Sequence, residues 1–198
     1  MRPDMVPGAS FPDYELRDHR NQPQRLSSLQ GDDPLILTLL RGHFCPKDRQ
    51  QLYDLVEFSQ KLDVGYARLV TITTDSLMEI NELRAGVGAH WTFLHDPRRT
   101  LADDLDIAEY TDSMHRPMIP YTIVLKPGLV IHTIYNGYWY WGRPTIHELH
   151  VDLRDITAEI RTDYAIDTPG LQAQWKSGDR SSFWPYGKTL GEVFAHVD

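Results

Sequence analysis

The chain's one cysteine stands where an apolar run ends and a helix begins, and no other feature constrains the fold as strongly. Residues Pro34 to Leu40 are almost continuously apolar, the pattern of a strand buried on both faces of a sheet. Pro46 suits the first helical position, because its missing amide hydrogen has no partner to lose there and its φ is already near helical. Cys45 then falls at the helix N-terminus, where unpaired N–H groups and the positive end of the dipole favour an anion. A thiolate is such an anion, and it is the form of cysteine that attacks peroxides and disulfides.

The rest of the chain narrows the setting. A length of 198 residues fits one domain with an elaboration, large enough to bury its core without disulfides or structural metal. A formal charge of −8 argues against a nucleic-acid partner or an anionic membrane surface. No apolar run approaches the roughly 18 residues of a membrane span, and Met1 to Pro7 lacks the apolar core of a secretory signal. One cysteine forms no internal disulfide, which fits a reducing cytoplasm.

Strands and helices alternate along the sequence. Phe11 to Leu16 alternates apolar and polar residues and predicts a half-buried strand. After Cys45, Leu52, Leu55, Val56 and Leu62 recur at helical spacing, with Lys47, Asp48, Arg49, Asp54 and Lys61 on other faces, and Gly65 ends the helix. Tyr66 to Thr73 predicts a second buried strand, and Thr74-Asp75-Ser76 caps a helix through Arg84 that Gly86 and Gly88 stop. A short strand over His90 to His95 and a short helix over Thr100 to Leu105 follow. Ile123-Val124-Leu125, the turn Lys126-Pro127-Gly128 and the strand from Leu129 to Tyr135 predict an antiparallel hairpin, and Thr145 to Arg161 an amphipathic final helix.

Several segments in this order resemble one family. Arg41-Gly42-His43-Phe44-Cys45-Pro46-Lys47-Asp48 resembles the R-G-x-W-C-P-x-C segment of thioredoxin-fold proteins in the alkyl hydroperoxide reductase/thiol-specific antioxidant branch of the peroxiredoxins. Upstream, Gly8 to Asp18 is similar to the opening G-x-x-x-P-D-F-x-L-x-D of redoxin domains, and Leu26 to Gly31 to L-S-x-L-x-G. Downstream, Thr73-Thr74-Asp75-Ser76 and Phe93-Leu94-His95-Asp96-Pro97 are similar to the S-x-D and F-P-L-L-S-D-P landmarks, and Gly142-Arg143-Pro144 to a G-R-P element at the start of the last helix. The resemblance covers roughly Gly8 to Arg161. It implies an α/β fold, a three-layer thioredoxin-like sandwich with a mixed central sheet, over residues 1–163. Residues 164–198 form an irregular extension whose Trp175, Phe183, Trp184 and Tyr186 pack on the domain or on a second subunit.

The resemblance also implies a set of site residues. Cys45 is the expected nucleophile, with Gly42, Phe44, Ile119 and Pro120 around the substrate and a cis Ile119-Pro120 bond before the edge strand. Main-line members carry P-x-x-x-T-x-x-C, but Thr38 and Gly42 stand at those positions here, and Ile119 stands roughly where their arginine lies. Arg41, Arg116 and Arg143 can each supply the missing cation, with Arg116 and Arg143 favoured, and His43 a proton. Asp48 replaces the second cysteine of a C-x-x-C pair, where it either opposes a nearby thiolate or simply favours the helix start. His147 and His150 are spaced i, i+3, but without a third convergent ligand they predict a solvated face rather than a metal site. Tyr138-Trp139-Tyr140-Trp141 predicts core or dimer interface.

The function implied is a one-cysteine antioxidant oxidoreductase, dimeric and cytoplasmic, that reduces hydroperoxides through a Cys45 sulfenic acid. It needs no organic cofactor or metal, and an external thiol or thioredoxin-like reductant recycles it. Two alternatives stay open: a one-cysteine thiol–disulfide oxidoreductase, and a non-catalytic thioredoxin-fold binding module.

Overall fold

The computed structural model describes residues 1–183. Strands β1 (Glu15–Asp18) and β2 (Pro23–Arg25) are followed by α1 (Leu26–Gln30), β3 (Leu35–Leu39) and α2 (Pro46–Val64). Next come β4 (Arg68–Thr73), α3 (Leu77–Val87), β5 (Thr92–His95) and α4 (Thr100–Asp104). The hairpin β6 (Tyr121–Lys126) and β7 (Val130–Asn136), then α5 (Ile146–Ile160) and α6 (Pro169–Lys176), complete the order. Among the described residues the strands form one sheet in the order β2-β1-β5-β4-β3-β6-β7. β3 and β5 run parallel to β4, and every other pairing is antiparallel, so the sheet is mixed. With helices on both sides it is the α/β, thioredoxin-like sandwich expected from the sequence.

β3 explains its own apolar run. All five of its residues are buried, because β4 and β6 flank it and both faces are covered. Leu35, Leu37 and Leu39 enter one core cluster with Val70, Ile72, Ile123 and Leu125, while Ile36 and Thr38 alternate to the other face. The buried hydroxyls there are matched: Thr38 and Thr71 pair at 2.8 Å, and the Trp91 indole donates to Thr71 Oγ1 at 2.9 Å. Unmatched, each would cost about 1–3 kcal/mol.

Local boundaries depart from expectation where proline or burial intervenes. The first strand starts at Glu15 rather than Phe11, since Pro12 has no amide to contribute to a ladder. Phe11 is still buried, its amide donating to the Leu129 carbonyl at 2.8 Å. Gly65 closes α2 with an ordinary φ of −84°, not a left-handed one. Gly86 lies inside α3, and Gly88 ends that helix in the left-handed region at φ 77°.

The chain divides into two compact units, Met1–Asp152 and Leu153–Asp198. The extension, expected to be irregular, contains α6 and a small cluster of its own. The Trp175 and Phe183 rings meet edge-on at 5.0 Å, and the Arg180 guanidinium lies 3.6 Å from the Trp175 ring centre. Trp184 and Tyr186 lie outside the described residues. No helix among the described residues is long and apolar enough to cross a membrane.

Candidate active site

Cys45 is the N-cap of α2, in extended conformation, with Pro46 in the first helical turn. A tight turn delivers it from β3: the Cys45 amide donates to the Gly42 carbonyl at 3.0 Å, and the Cys45 carbonyl accepts the Arg49 amide. Gly42 has φ 138°, and a Cβ there would lie 2.7 Å from Asp75 Oδ1. Only glycine fits both constraints.

Two carboxylates hold this turn. Asp48 is fully buried, and its Oδ2 accepts the Arg41 and Gly42 amides at 2.8 and 3.2 Å. Its Oδ1 accepts Arg143 Nη2. Asp75 is 8% exposed and takes the His43 amide on Oδ2 at 2.8 Å and His43 Nδ1 on Oδ1 at 2.9 Å. The Thr73 hydroxyl donates to Asp75 Oδ2 at 2.9 Å, and Arg49 Nε to the His43 carbonyl at 3.0 Å. Burial pushes the Asp48 carboxyl up, against the pull of Arg143 and the two amides.

Arg143 is the cation that reaches the sulfur. Its Nη2, bonded to Asp48, also donates a long hydrogen bond to Cys45 Sγ at 3.9 Å, and its Nη1 donates to the Gly137 carbonyl at 2.9 Å. The loop after β7 makes this possible. The Gly137 amide donates to the Pro120 carbonyl, and a Cβ on Gly142 would lie 1.9 Å from the Asn136 carbonyl oxygen. Tyr138, Trp139, Tyr140 and Trp141 in this loop are 40 to 97% exposed, so they are not core. A cleft of about 260 Å³ adjoins Arg143, with Lys47, Gln51, Leu55, Tyr140 and Leu149 among its walls. Lys47 Nζ lies 4.3 Å from the Tyr140 ring centre.

A second cationic arm starts at Arg41. It forms a forked pair with buried Glu109 at 2.9 and 3.0 Å and lies 5.6 Å from the Phe44 ring centre. Burial works against its charge, but Glu109 more than offsets this, with the nearby Cys45 and Asp112 adding, so its pKa stands above the ordinary value. Phe44 stacks on His115 at 3.8 Å, and His115 Nδ1 pairs with Asp112 at 2.9 Å.

Of the residues singled out in the sequence, Gly42, His43, Phe44 and Cys45 share this turn and Arg143 reaches its sulfur, with Pro120 tied to the Arg143 loop through Gly137. Ile119 is half-buried, its amide donating to the Ile107 carbonyl. Arg116 is exposed in left-handed backbone at φ 49° within its own loop. Asp48 departs most from expectation: it belongs to the buried face of α2, not an outer one. A signal was present, since 48, 52, 55, 59 and 62 form one continuous helical stripe of buried positions. Asp75 and Glu109 were missed, because their partners are set by tertiary packing.

Among the described residues, the donor atoms that converge closely enough to hold a metal ion are those of His43, Asp75 and Glu79, all within 4.8 Å of one another. Within that group His43 Nδ1 and Asp75 Oδ1 lie 2.9 Å apart, at hydrogen-bond distance. His147 and His150 are not in that group.

The peroxidoxin BcpB from Mycobacterium tuberculosis superposes with a TM-score of 0.65 at 18% identity, over 78% of this chain and 97% of that one. Enterococcus faecalis AhpC gives 0.65 at 16% identity, over 78% and 95%. The yeast mitochondrial 1-Cys peroxiredoxin gives 0.66 at 14% identity, over 78% of each chain. No curated protein matches the sequence. The model of the AhpC/TSA family matches residues 7–134, most of the chain and the whole stretch from the first strands through the cysteine turn to the hairpin, and the chain belongs to that family.

Proposed function

We propose that this chain is a one-cysteine thiol peroxidase in which Cys45 reduces a hydroperoxide and an external thiol restores it. The observation that carries the reading is a sulfur at the N-terminus of a 19-residue helix with a guanidinium nitrogen 3.9 Å away, in a chain with no second cysteine. The helix end and Arg143 supply positive charge to a thiolate and to the peroxide oxygens beside it. Cys45 thiolate attacks one peroxide oxygen, the O–O bond breaks, and the other oxygen leaves as an alcohol after taking a proton. Cys45 is left as sulfenic acid.

Recycling must come from outside, because no resolving cysteine is available. One thiol condenses with the sulfenic acid, releasing water and forming a mixed disulfide. A second thiol displaces Cys45 and leaves as the disulfide. The yeast neighbour is described as resolved through glutathione and thioredoxin systems, which supports a small thiol or a thioredoxin-like reductant here. A lone cysteine of this kind suits a reducing cytoplasm.

The test is stopped-flow consumption of hydrogen peroxide, with dimedone trapping of the sulfenic acid read by mass spectrometry. The wild type should consume peroxide and carry one dimedone adduct on Cys45, and Cys45→Ser should do neither. Rapid reaction with disulfides but not with peroxide would replace this reading with that of a thiol–disulfide oxidoreductase.

A further inference from the structure

One side-chain cluster is left over by the peroxidase reading. One donor atom each from His43, Asp75 and Glu79 lies within 4.8 Å of the other two, and the Cys45 sulfur is not in the group. His43 Nδ1 stands 2.9 Å from Asp75 Oδ1 and 3.8 Å from Glu79 Oε1. The chain builds the cluster from two places. His43 belongs to the turn between β3 and α2, while Asp75 and Glu79 flank Ser76, the N-cap of α3, one just before it and the other in the first helical turn.

Each carboxylate is anchored by one oxygen and offers the other. Asp75 Oδ2 accepts the His43 amide and the Thr73 hydroxyl, and Glu79 Oε2 accepts the Ser76 amide at 2.8 Å. Asp75 Oδ1 and Glu79 Oε1 are the atoms turned to the imidazole. Gly42 leaves room for the first of them, since a Cβ there would lie 2.7 Å from Asp75 Oδ1. Carboxylates held by outer hydrogen bonds in this way are ordered before an ion arrives.

Charge then selects what fits between them. Among the described residues no lysine or arginine pairs with Asp75 or Glu79, and their basic neighbour is His43. Arg49, on the same turn, donates to the His43 carbonyl instead. Two carboxylates facing one neutral imidazole carry two negative charges, and Asp75 is only 8% exposed. A dication cancels them.

We propose that His43, Asp75 and Glu79 form a binding site for a zinc ion, completed by water, that ties the cysteine turn to the start of α3. One nitrogen and two oxygens suit zinc, whereas magnesium and calcium favour oxygen alone. Zinc bonds of about 2.0–2.2 Å put neighbouring ligand atoms about 3–3.5 Å apart. The separations of 2.9 and 3.8 Å bracket that range, so a small shift of the Glu79 side chain, 35% exposed, closes the set. In binding, the ion replaces the proton shared by His43 Nδ1 and Asp75 Oδ1, and the neutral imidazole carries its hydrogen on Nε2.

The test titrates zinc chloride into the metal-free full chain carrying Cys45→Ser, so that no thiolate competes for the ion. Binding is read by calorimetry and by nitrogen NMR of the imidazoles. One equivalent should bind, the His43 Nδ1 resonance should move while those of His115 stay, and thermal unfolding should rise with zinc concentration. Magnesium chloride should do none of these. Glu79→Gln, which keeps an oxygen for the Ser76 amide, and His43→Gln should each weaken zinc binding by more than the roughly tenfold that loss of an outer-shell partner costs. His115→Gln, which removes an exposed imidazole paired with Asp112 outside the cluster, should leave binding unchanged. The absence of saturable binding, binding that survives either Glu79→Gln or His43→Gln, or a loss that appears in His115→Gln instead would overturn the proposal. Because the Cys45→Ser chain forms no sulfenic acid, failure here leaves the peroxidase reading intact, and failure of that reading leaves the zinc site standing.

Discussion

Asp48 and Arg143, 95 residues apart in the chain, meet beside Cys45, and the guanidinium nitrogen that Asp48 accepts is the one that reaches the sulfur. The carboxylate therefore does two jobs. It holds the Arg41–Gly42 backbone in place at the end of β3, and it aims the cation.

Replacing Asp48 should be costly for that reason. Asp48→Ala leaves two amides without an acceptor and Arg143, whose side chain is 13% exposed, without a counter-charge. Loss of about 3–5 kcal/mol of stability is expected by urea unfolding. The double variant Asp48→Ala/Arg143→Met should recover part of it, since no buried charge is then left alone.

Arg143→Lys keeps the charge but loses the fork that serves Cys45, Asp48 and the Gly137 carbonyl together. Peroxide reduction should slow about tenfold, the equivalent of one charge-assisted bond worth about 1.5 kcal/mol. Circular dichroism should show the native spectrum retained, which separates lost aim from lost fold.

Gly42→Ala should destabilise the protein by about 1–3 kcal/mol, because the backbone there has φ 138° and the added methyl meets Asp75. Much of the steric part disappears if Asp75 is shortened as well. Thermal unfolding of Gly42→Ala, Asp75→Ala and the double variant should give costs that are less than additive.

The capping box of α3 makes a contribution that depends on pH. Glu79 accepts the Ser76 amide at 2.8 Å, and that backbone bond, then the Ser76 side chain, holds its carboxyl below the ordinary value. A carboxyl depressed in the folded state stabilises fully above its unfolded pKa near 4.5 and loses that effect as the pH falls through the folded value. Unfolding free energy should therefore fall below about pH 4.5, and Glu79→Gln should flatten that part of the profile. Ser76→Ala should cost about 1 kcal/mol at neutral pH.

The sheet could be read in advance because its signals are local. Pro34 to Leu40 has the composition of a doubly covered strand, Pro46 sits where a helix starts, and Lys126 to Gly128 turns a hairpin. The first strand was misplaced by the same logic, since alternation from Phe11 ignored the missing amide of Pro12. The cysteine's place was local too. Its partners were not: Asp48 looks like an ordinary first-turn acid until Arg143 arrives, and Asp75 looks like one more helix-capping residue until Gly42 leaves room for it. Arg116 and Arg143 look alike as arginines beside prolines, and only the Gly137–Gly142 loop separates an exposed one from one that touches sulfur.

The distance in sequence between Cys45 and Arg143, 98 positions, has a consequence for synthesis. When the cysteine leaves the ribosome, the arginine that will lie against its sulfur has not yet been made. The nascent thiol is therefore without its guanidinium neighbour until the hairpin and the loop behind it have closed.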